Sequence, residues 1–279
     1  MSTLETRCVT SDKAQDSGLL APDEPRPFEL FNGAGKAPLL LICDHATRFI
    51  PRALRGLGLD EAALCRHIAW DIGIAEVTRL VARRLDAPAV LSHFSRLVVD
   101  PNRQLDNPTL MPEISDGTVV PGNRDLDAAA RRARVDTFFR PYHHAIDAQL
   151  DAMLAAGAAQ GRAPAVVSMH SFTPVMHGVG RPWEIGVLWN RDPRLPRPLM
   201  ERLRAEGLTV GDNEPYSGAD GHGYTQHTHA DRRGLANVLI EVRQDLIDTQ
   251  QGAALWAERL GAALEAVLAD PALYRVAHY

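Results

Sequence analysis

The segment ANVLIEVRQDL, residues Ala236–Leu246, decides how the rest of the chain is interpreted. Its run of branched and apolar side chains predicts a strand over Asn237–Val242, buried in the middle of a sheet. Glu241 interrupts that run between Ile240 and Val242. A buried carboxylate is costly unless it is paired or contacts a metal, so this position indicates a function.

Three other segments share this form, an apolar run that ends in polar, reactive side chains. They are LICDHA at Leu41–Ala46, VVDPNR at Val98–Arg103 and VVSMHS at Val166–Ser171. In an open α/β sheet the binding crevice lies outside the carboxyl ends of the strands. We therefore expect the polar groups of all four segments to converge at one edge of the sheet: His45, Asn102, Arg103, His170 and Glu241.

Strand and helix patterns alternate along the chain, which predicts a sheet between two helical layers. Predicted strands cover residues 37–43, 89–92, 97–100, 165–169, 184–189 and 237–242. Predicted helices cover residues 61–69, 71–85, 124–159, 197–206 and 250–268. Pro141 should kink or split the third helix after Arg140, because proline cannot donate the helical hydrogen bond.

The domain organisation follows from where this periodicity begins. Residues 1–27 mix Ser, Asp, Pro and Lys without a period, which predicts a flexible N-terminal segment ahead of a single domain over residues 28–279. Two long stretches of the domain, 101–123 and 211–231, lack apolar periodicity and are interpreted as loops. Loops of this length are usually either functional or disordered.

Composition excludes several classes of partner. The chain has 35 acidic and 30 basic residues, a formal net charge of −5, so no nucleic-acid partner is predicted. No apolar run could span a bilayer and the first residues lack a secretory pattern, so we expect no membrane association and a cytoplasmic location. Cys8, Cys43 and Cys65 are odd in number and widely spaced, which predicts reduced thiols. These patterns leave the oligomeric state open.

Two histidines at predicted strand ends, His45 and His170, are candidate metal ligands, because neutral imidazole commonly binds divalent metals. A catalytic zinc site takes three protein ligands and leaves a position for water. We choose Asp71 as the third ligand, although at a predicted helix start it could equally cap its own helix. The alternative third ligands are Asp44, His222, His227 and His229.

Glu241 is the candidate general base. Beside a metal it would take a proton from the attacking water and later give it to the departing amine. The alternative is a salt bridge from Glu241 to Arg243 or another arginine. We rate that lower, because Arg243 shares a face with Glu241 and is itself a candidate substrate contact.

The turn after Asp100 supplies candidate groups for an acidic substrate. Arg103 has the planar fork that grips a carboxylate with two hydrogen bonds, and Asn102 stands beside it. Arg96 could assist this anchor or stabilise an oxyanion. Ser171, beside His170, could bind either the backbone or a ligand.

Together these motifs resemble the N-formylglutamate amidohydrolase family, whose wider relatives are the zinc carboxypeptidases. The resemblance extends over about residues 39–248 and rests on DHATRFIP, AWDIG, SRLVVDPNR, MHS and HADRRGLANVLIEVRQDL. It implies a three-layer α/β/α sandwich with a mixed central sheet, of the phosphorylase/hydrolase-like type found in zinc carboxypeptidases. It also implies one zinc ion held by His45 and His170, Glu241 as the base, an Asn102-Arg103 carboxylate clamp, and hydrolysis of a formyl amide to formate and a free amino acid.

The sequence departs from the carboxypeptidase pattern at one ligand. Those enzymes place a glutamate ligand three residues after the first histidine, and Arg48 occupies that position here. The third ligand must therefore come from elsewhere, which is why Asp71 is chosen. The loop 211–231 and the HADRRGL segment also differ from the histidine-degradation enzyme of the family, so the natural acyl amino acid stays open.

The resulting hypothesis is a zinc-dependent hydrolase, or one using another divalent metal, that cleaves the N-formyl or N-acyl amide of a small acidic amino acid. Tyr224 or His229 of the loop 211–231 would cover the site. The alternatives are a carboxypeptidase or another N-acyl amino acid deacylase with the same site, and a non-catalytic protein that binds a metal or an acidic ligand. A nucleophilic Cys43 and a metal site of His143, His144 and Asp147 are less favoured, because a buried thiol and surface residues explain those patterns better.

Overall fold

A mixed sheet of seven strands forms the centre of the molecule. The computed structural model describes residues 18–220 and 222–279. The strands are β1 (Phe28–Phe31), β2 (Leu39–Cys43), β3 (Ala89–Ser92), β4 (Ile114–Ser115), β5 (Thr118–Val119), β6 (Ala165–Phe172), β7 (Val175–Met176), β8 (Val179–Gly180), β9 (Ile185–Leu188), β10 (Val210–Asp212) and β11 (Asn237–Arg243). The sheet order is β1-β3-β2-β6-β11-β9-β10, and β4-β5 and β7-β8 form two separate hairpins.

Helices cover both faces of the sheet. They are α1 (Glu61–Leu64), α2 (Ile74–Leu85), α3 (Ala128–Arg134), α4 (Arg140–Gly157), α5 (Pro196–Ala205), α6 (Tyr224–His229) and α7 (Gln250–Val267). The apolar sides of α2, α5 and α7 pack into one core cluster, and α4 packs into a second cluster on the opposite face. The predicted three-layer α/β/α sandwich with a mixed sheet is confirmed.

The four central strands β3, β2, β6 and β11 run parallel, so their carboxyl ends reach the same edge of the sheet. Each is buried on both faces, which explains why their sequences are continuous apolar runs. The register pairs Glu241 of β11 with His170 of β6. Their neighbours Ile240 and Met169 belong to the core on the α2 side, so Glu241 and His170 face the α4 side.

The strand predicted over Leu97–Asp100 is wrong, because this segment is a buried turn. The backbone N–H of Val98 donates to the carbonyl of Ser95 at 2.9 Å. Side chains rather than a neighbouring strand satisfy its carbonyls. Asn123 donates to Leu97 O at 2.9 Å, and Arg134 donates to Val98 O at 3.2 Å.

The long helix predicted over 124–159 is present as α3 and α4, joined by a π-helical turn at Val135–Phe139. Pro141 follows that turn at the start of α4. The wider turn accommodates the proline ring and its missing N–H, so the predicted interruption takes the form of a local change of helix type.

The remaining segments agree with the sequence predictions to different extents. The stretch 211–231, predicted as one loop, contains α6 and most of β10. Residues 1–17 of the predicted flexible segment lie outside the described residues, and Leu19 and Leu20 pack against the core on the α4 side. Among the described residues, no helix has both the length and the apolar character that a membrane span requires.

Candidate metal centre and active site

His45, Asp71 and His170 form a buried triad whose candidate ligand atoms all lie within 4.8 Å of one another. Oδ2 of Asp71 lies 2.9 Å from Nδ1 of His170 and 3.4 Å from Nδ1 of His45. Two imidazole nitrogens and one carboxylate oxygen are a usual ligand set for catalytic zinc. The triad could therefore hold a metal ion and leave a coordination position for water or substrate.

Three separate parts of the chain position this triad. His45 follows β2 by two residues, and His170 lies near the end of the neighbouring strand β6. The backbone N–H of Asp71 donates to the carbonyl of His45 at 3.0 Å, which ties the segment before α2 to the end of β2. Gly73, not Asp71, occupies the N-cap of α2, so the Asp71 carboxylate faces the imidazoles instead of capping its helix.

A second carboxylate holds the outer nitrogen of each imidazole. Nε2 of His170 lies 3.0 Å from Oδ2 of Asp44, and Nε2 of His45 lies 2.8 Å from Oδ1 of Asp100. A carboxylate only accepts, so each Nε2 carries a proton. Nδ1, which faces Asp71, is therefore the nitrogen that would bind a metal, in place of any proton it carries in the metal-free protein. Metal-ligating histidines are typically oriented in this way. Asp44, an alternative third ligand, lies behind His170 and outside the triad.

These outer carboxylates are themselves held by side chains. Tyr142 donates its O–H to Oδ1 of Asp44 at 2.9 Å. Arg96 donates to Oδ2 of Asp100 through Nε at 3.2 Å and Nη2 at 2.7 Å. Its Nη1 lies 3.6 Å from Oδ1 of Asp71. Arg96 therefore reaches the candidate centre, with its guanidinium shared between two carboxylates.

The centre carries an excess of negative charge, because Asp44, Asp71 and Asp100 are all buried there. Burial acts to lower the pKa of His170, but hydrogen bonds to Asp44 and Asp71 outweigh it and raise that pKa well above its usual value. Burial acts to raise the pKa of Asp71, yet the charge of His45 and a hydrogen bond with His170 hold it below its usual range. Such a site favours a bound cation.

Glu241 lies beside the triad, on the strand that pairs with β6. Its side chain is buried, and Oε2 has no hydrogen-bond partner among the described residues. Burial raises the pKa of Glu241 to about 7, although the charges of His170 and His45 act to lower it. A buried carboxylate with an unpartnered oxygen and a raised pKa can act as a general base.

A cavity of about 390 Å³ opens onto Glu241 and the triad. Four other residues from the sequence prediction line it: Arg96, Asn102, Arg103 and Ser171. The Arg103 side chain is about one quarter exposed, and its Nε lies 4.0 Å from Oδ2 of Asp100. Its guanidinium is thus available for a carboxylate in the cavity.

Asn102 and Ser171 also bind the protein itself. Oδ1 of Asn102 accepts from the backbone N–H of Thr225 at 3.1 Å, and Oγ of Ser171 donates to the carbonyl of Ile72 at 2.9 Å. The amide group of Asn102 and the lone pairs of Ser171 remain as groups that can meet a ligand.

Two predicted substrate contacts lie away from this cavity. Neither Tyr224 nor Arg243 is among the described residues that line the cavity. Tyr224 begins α6, and its ring packs 5.6 Å from that of His143. Arg243 donates to Oδ1 of Asp245 at 2.8 Å and to nearby backbone carbonyls, so it neither neutralises Glu241 nor reaches the cavity.

The other candidate histidines lie outside the triad. His222 lines the cavity with its ring stacked on Tyr216, at a centroid distance of 5.3 Å. His227 is exposed and lies 3.3 Å from the carboxylate of Asp231. His229 is buried, and its Nε2 lies 2.7 Å from Nδ1 of His143.

The sequence interpretation missed Tyr216, which lines the cavity from the loop after β10. Arg181 donates to the Tyr216 oxygen at 3.1 Å. Because arginine is only a donor, the phenolic proton of Tyr216 is left to point elsewhere. Burial raises the pKa of Tyr216, and the charge of Glu241 acts in the same direction. Only its position in a long polar loop could have marked this residue.

Cys43 does not resemble a nucleophile. Its side chain is fully buried in the core between the sheet and α2. Burial raises the pKa of this thiol strongly, and the charge of Asp71 adds to the effect. The reactive thiolate is therefore disfavoured.

Comparisons with known proteins identify the family and the fold. The chain matches the sequence profile of N-formylglutamate amidohydrolase over residues 37–248. It is similar to the crystal structure of a gene product from Agrobacterium tumefaciens, with 38% identity over 90% of this chain and 98% of that chain and a TM-score of 0.84. The crystal structure of N-formylglutamate amidohydrolase from Ralstonia eutropha shares the fold, at 20% identity over 88% and 98% of the chains and a TM-score of 0.71. No curated protein sequence matches the chain.

Proposed function

Because this chain belongs to the N-formylglutamate amidohydrolase family, we propose that it hydrolyses the N-formyl amide of an acidic amino acid, such as N-formylglutamate. The observation that carries this proposal is the pairing of a buried His-Asp-His triad with Glu241, whose Oε2 lacks a partner in the described part of the chain. Together they provide a place for a cation and a base beside it.

The residues fit a metal ion. Both imidazoles are oriented by outer carboxylates so that their Nδ1 atoms converge with the carboxylate of Asp71, and a metal ion bound there would replace the protons that otherwise bridge these groups. His45, Asp71 and His170 would hold the ion, proposed to be zinc, which when bound would polarise the substrate carbonyl and make water more acidic.

The chain's own groups then carry the proton and hold the substrate. Arg103, with Asn102, would bind the substrate carboxylate from the cavity wall. Glu241 takes a proton from the attacking water, the oxygen of that water bonds to the formyl carbon, and the C–N bond breaks. Glu241 returns its proton to the departing amine, which yields formate and the free amino acid. Arg96 and the O–H of Tyr216 are the donors proposed for the developing oxyanion.

A cytoplasmic location is part of this proposal. Cys43 and Cys65 are both free thiols, which supports a reducing compartment.

The test is formate release by the purified protein from N-formylglutamate, N-formylaspartate, an apolar N-formyl amino acid and N-acetylglutamate, with metal content measured on the same sample. We expect the N-formyl acidic substrates to be fastest and a chelator to stop turnover. Faster cleavage of N-acetylglutamate would favour the deacylase alternative. Bound metal without any turnover would overturn the proposal in favour of a binding protein.

A variant pair sharpens the test. Glu241→Gln should lower kcat by about 10²–10⁴-fold while the metal content stays unchanged, because only the base is lost. Glu265→Gln removes an exposed carboxylate on α7 that pairs with Arg84, and it should keep the parent rate. A Glu241→Gln enzyme with the parent rate would exclude Glu241 as the base.

A further inference from the structure

A row of hydrogen-bonded groups runs from the active-site turn to the surface through two histidines. Nε2 of His143 donates to the carbonyl of Pro101 at 3.0 Å. Nδ1 of His143 lies 2.7 Å from Nε2 of His229, and Nδ1 of His229 lies 2.8 Å from Oδ1 of Asp147. Both imidazoles are buried and their rings stack at 5.0 Å, whereas the Asp147 side chain is 40% exposed.

The geometry fixes how many protons this row contains. Both ends only accept, because one is a carbonyl and the other is a carboxylate that also accepts from Arg233 at 2.8 Å. Nε2 of His143 and Nδ1 of His229 must therefore each carry a proton, and the bond between the rings needs a third. Two neutral imidazoles carry only two ring N–H protons between them, one on each ring. The row thus holds one extra proton and one positive charge.

The surroundings assign that charge to His229. Its Nδ1 faces Asp147 directly, whereas His143 faces a neutral carbonyl. Burial and the neighbouring His229 lower the pKa of His143 to about 4, which keeps that ring neutral. The other charged or titratable groups around the pair are Arg233 and Asp151 near Asp147, Asp44 and Tyr142 behind His143, and Tyr224 on α6.

The inner end of the row holds a turn that the active site uses. Pro101 stands between Asp100, which orients His45, and Asn102, which lines the cavity. Oγ1 of Thr225 donates to the same Pro101 carbonyl at 3.2 Å, and the Thr225 backbone N–H donates to Asn102. Hydrogen bonds from the row and from α6 therefore hold this turn in place.

We propose that His143 and His229 form a positively charged positioning pair, balanced by Asp147, that holds the Pro101–Arg103 turn in place for substrate. The two histidines do not touch the substrate and act through the Pro101 carbonyl. The presence of an extra proton in the row follows from the hydrogen-bond geometry, whereas the effect on substrate rests on the proposed function.

The proton count is tested by ¹H–¹⁵N correlation spectra of the imidazole rings in the full-length, metal-loaded protein at pH 7. We expect His229 to have both nitrogens protonated and His143 to be the neutral Nε2–H tautomer. Two neutral rings, or a neutral His143 protonated on Nδ1, would overturn the proposal. This readout needs no substrate, so it stays decisive even if N-formylglutamate is not hydrolysed.

The positioning role is tested by Asp147→Asn, with Asp151→Asn as the matched control. Both residues lie on α4 and both approach Arg233, but only Asp147 contacts His229. Asp147→Asn removes the counter-charge, so the pair should no longer hold its extra proton and the turn should loosen. We expect KM to rise about 2- to 10-fold, kcat to change less than KM, and the imidazole spectrum at pH 7 to show two neutral rings.

Asp151→Asn should match the parent protein in KM and in imidazole spectrum, because its side chain is 69% exposed and lies outside the row. Equal KM values for the two variants would refute a positioning role for the pair. A fall in metal content or in folded fraction for Asp147→Asn alone, without the rise in KM relative to kcat, would also refute it.

Discussion

At the scale of single residues, Glu241 combines a functional gain with a cost in stability. Its pKa is raised to about 7, mainly by burial, from an ordinary value of 4.5. The folded chain therefore holds this proton more tightly than the unfolded chain does. The free energy of unfolding should fall as pH rises from about 4.5 to about 7, and the full cost is present above that range.

This loss of stability with rising pH leads to a prediction for the metal-free protein. In the presence of a chelator, Glu241→Gln should be more stable than the parent by about 1–3 kcal/mol at pH 8, because the glutamine carries no buried charge. Below pH 4.5 the two proteins should unfold at the same urea concentration. Urea titrations at both pH values measure the difference, and a pH-independent difference would contradict the role of ionisation.

The sequence predicted which residues carry the chemistry of this site better than it predicted which residues surround and hydrogen-bond them. Glu241 was identifiable because a charge in an apolar strand is costly unless it has a function. His45 and His170 were identifiable because each follows a buried apolar run. Tyr216 was missed because spacing within a polar loop does not reveal which side chain faces a cavity. Asp44 was predicted only as an alternative metal ligand and Asp100 was given no role, since a carboxylate that orients a histidine looks like any turn residue until that histidine is placed.

At the scale of elements, the short link between Asp71 and α2 depends on Gly73. Its φ of 82° lies in the left-handed region, and a Cβ there would overlap the carbonyl oxygen of Ile247. Gly73→Ala should therefore lower the free energy of unfolding by more than about 2 kcal/mol and weaken metal binding, because Asp71 lies two residues away.

Gly161 provides the control for this prediction. It also has a positive φ, 62°, but a Cβ there would have nothing within 4 Å. Gly161→Ala should cost only about 1 kcal/mol and leave metal affinity unchanged. Urea unfolding and a zinc titration compare the two variants. An equal loss in the free energy of unfolding would contradict the prediction, because it would mean that the overlap with Ile247 does not destabilise the fold.

The elements that the sequence missed share a physical cause. β1 and β10 are short edge strands of four and three residues, too short to establish a period of two. Leu97–Asp100 has the apolar character of a strand, but Asn123 and Arg134 supply hydrogen bonds to its carbonyls from 26 and 36 positions further along the chain. Local patterns therefore identify the central strands, and long-range hydrogen bonding decides the rest.

At the scale of the whole molecule, the three triad residues connect the ends of β2 and β6 with the start of α2. An ion bound there would bind the folded chain and not the unfolded one. Zinc at 100 times its Kd should raise the free energy of unfolding by about 2.7 kcal/mol, seen as a higher Tm.

Three variants test whether this stabilisation comes from zinc bound at the triad. His170→Asn should abolish the zinc-dependent rise in Tm. Asp44→Asn should weaken zinc affinity about 10- to 100-fold, because it loosens the orientation of His170. His227→Asn alters an exposed histidine outside the triad and should respond like the parent. A full response by His170→Asn would show that zinc binds elsewhere.

The place of β11 in the sheet has a consequence for how the protein is made. β11 lies between β6 and β9, yet it follows both of them in the chain. While a ribosome is still adding residues 189–236, one long side of β6 has no neighbour to receive its backbone hydrogen bonds. An open central edge is a template for wrong pairing between nascent chains. Overproduction in cells should therefore depend on chaperones that shield this edge until Arg243 has emerged.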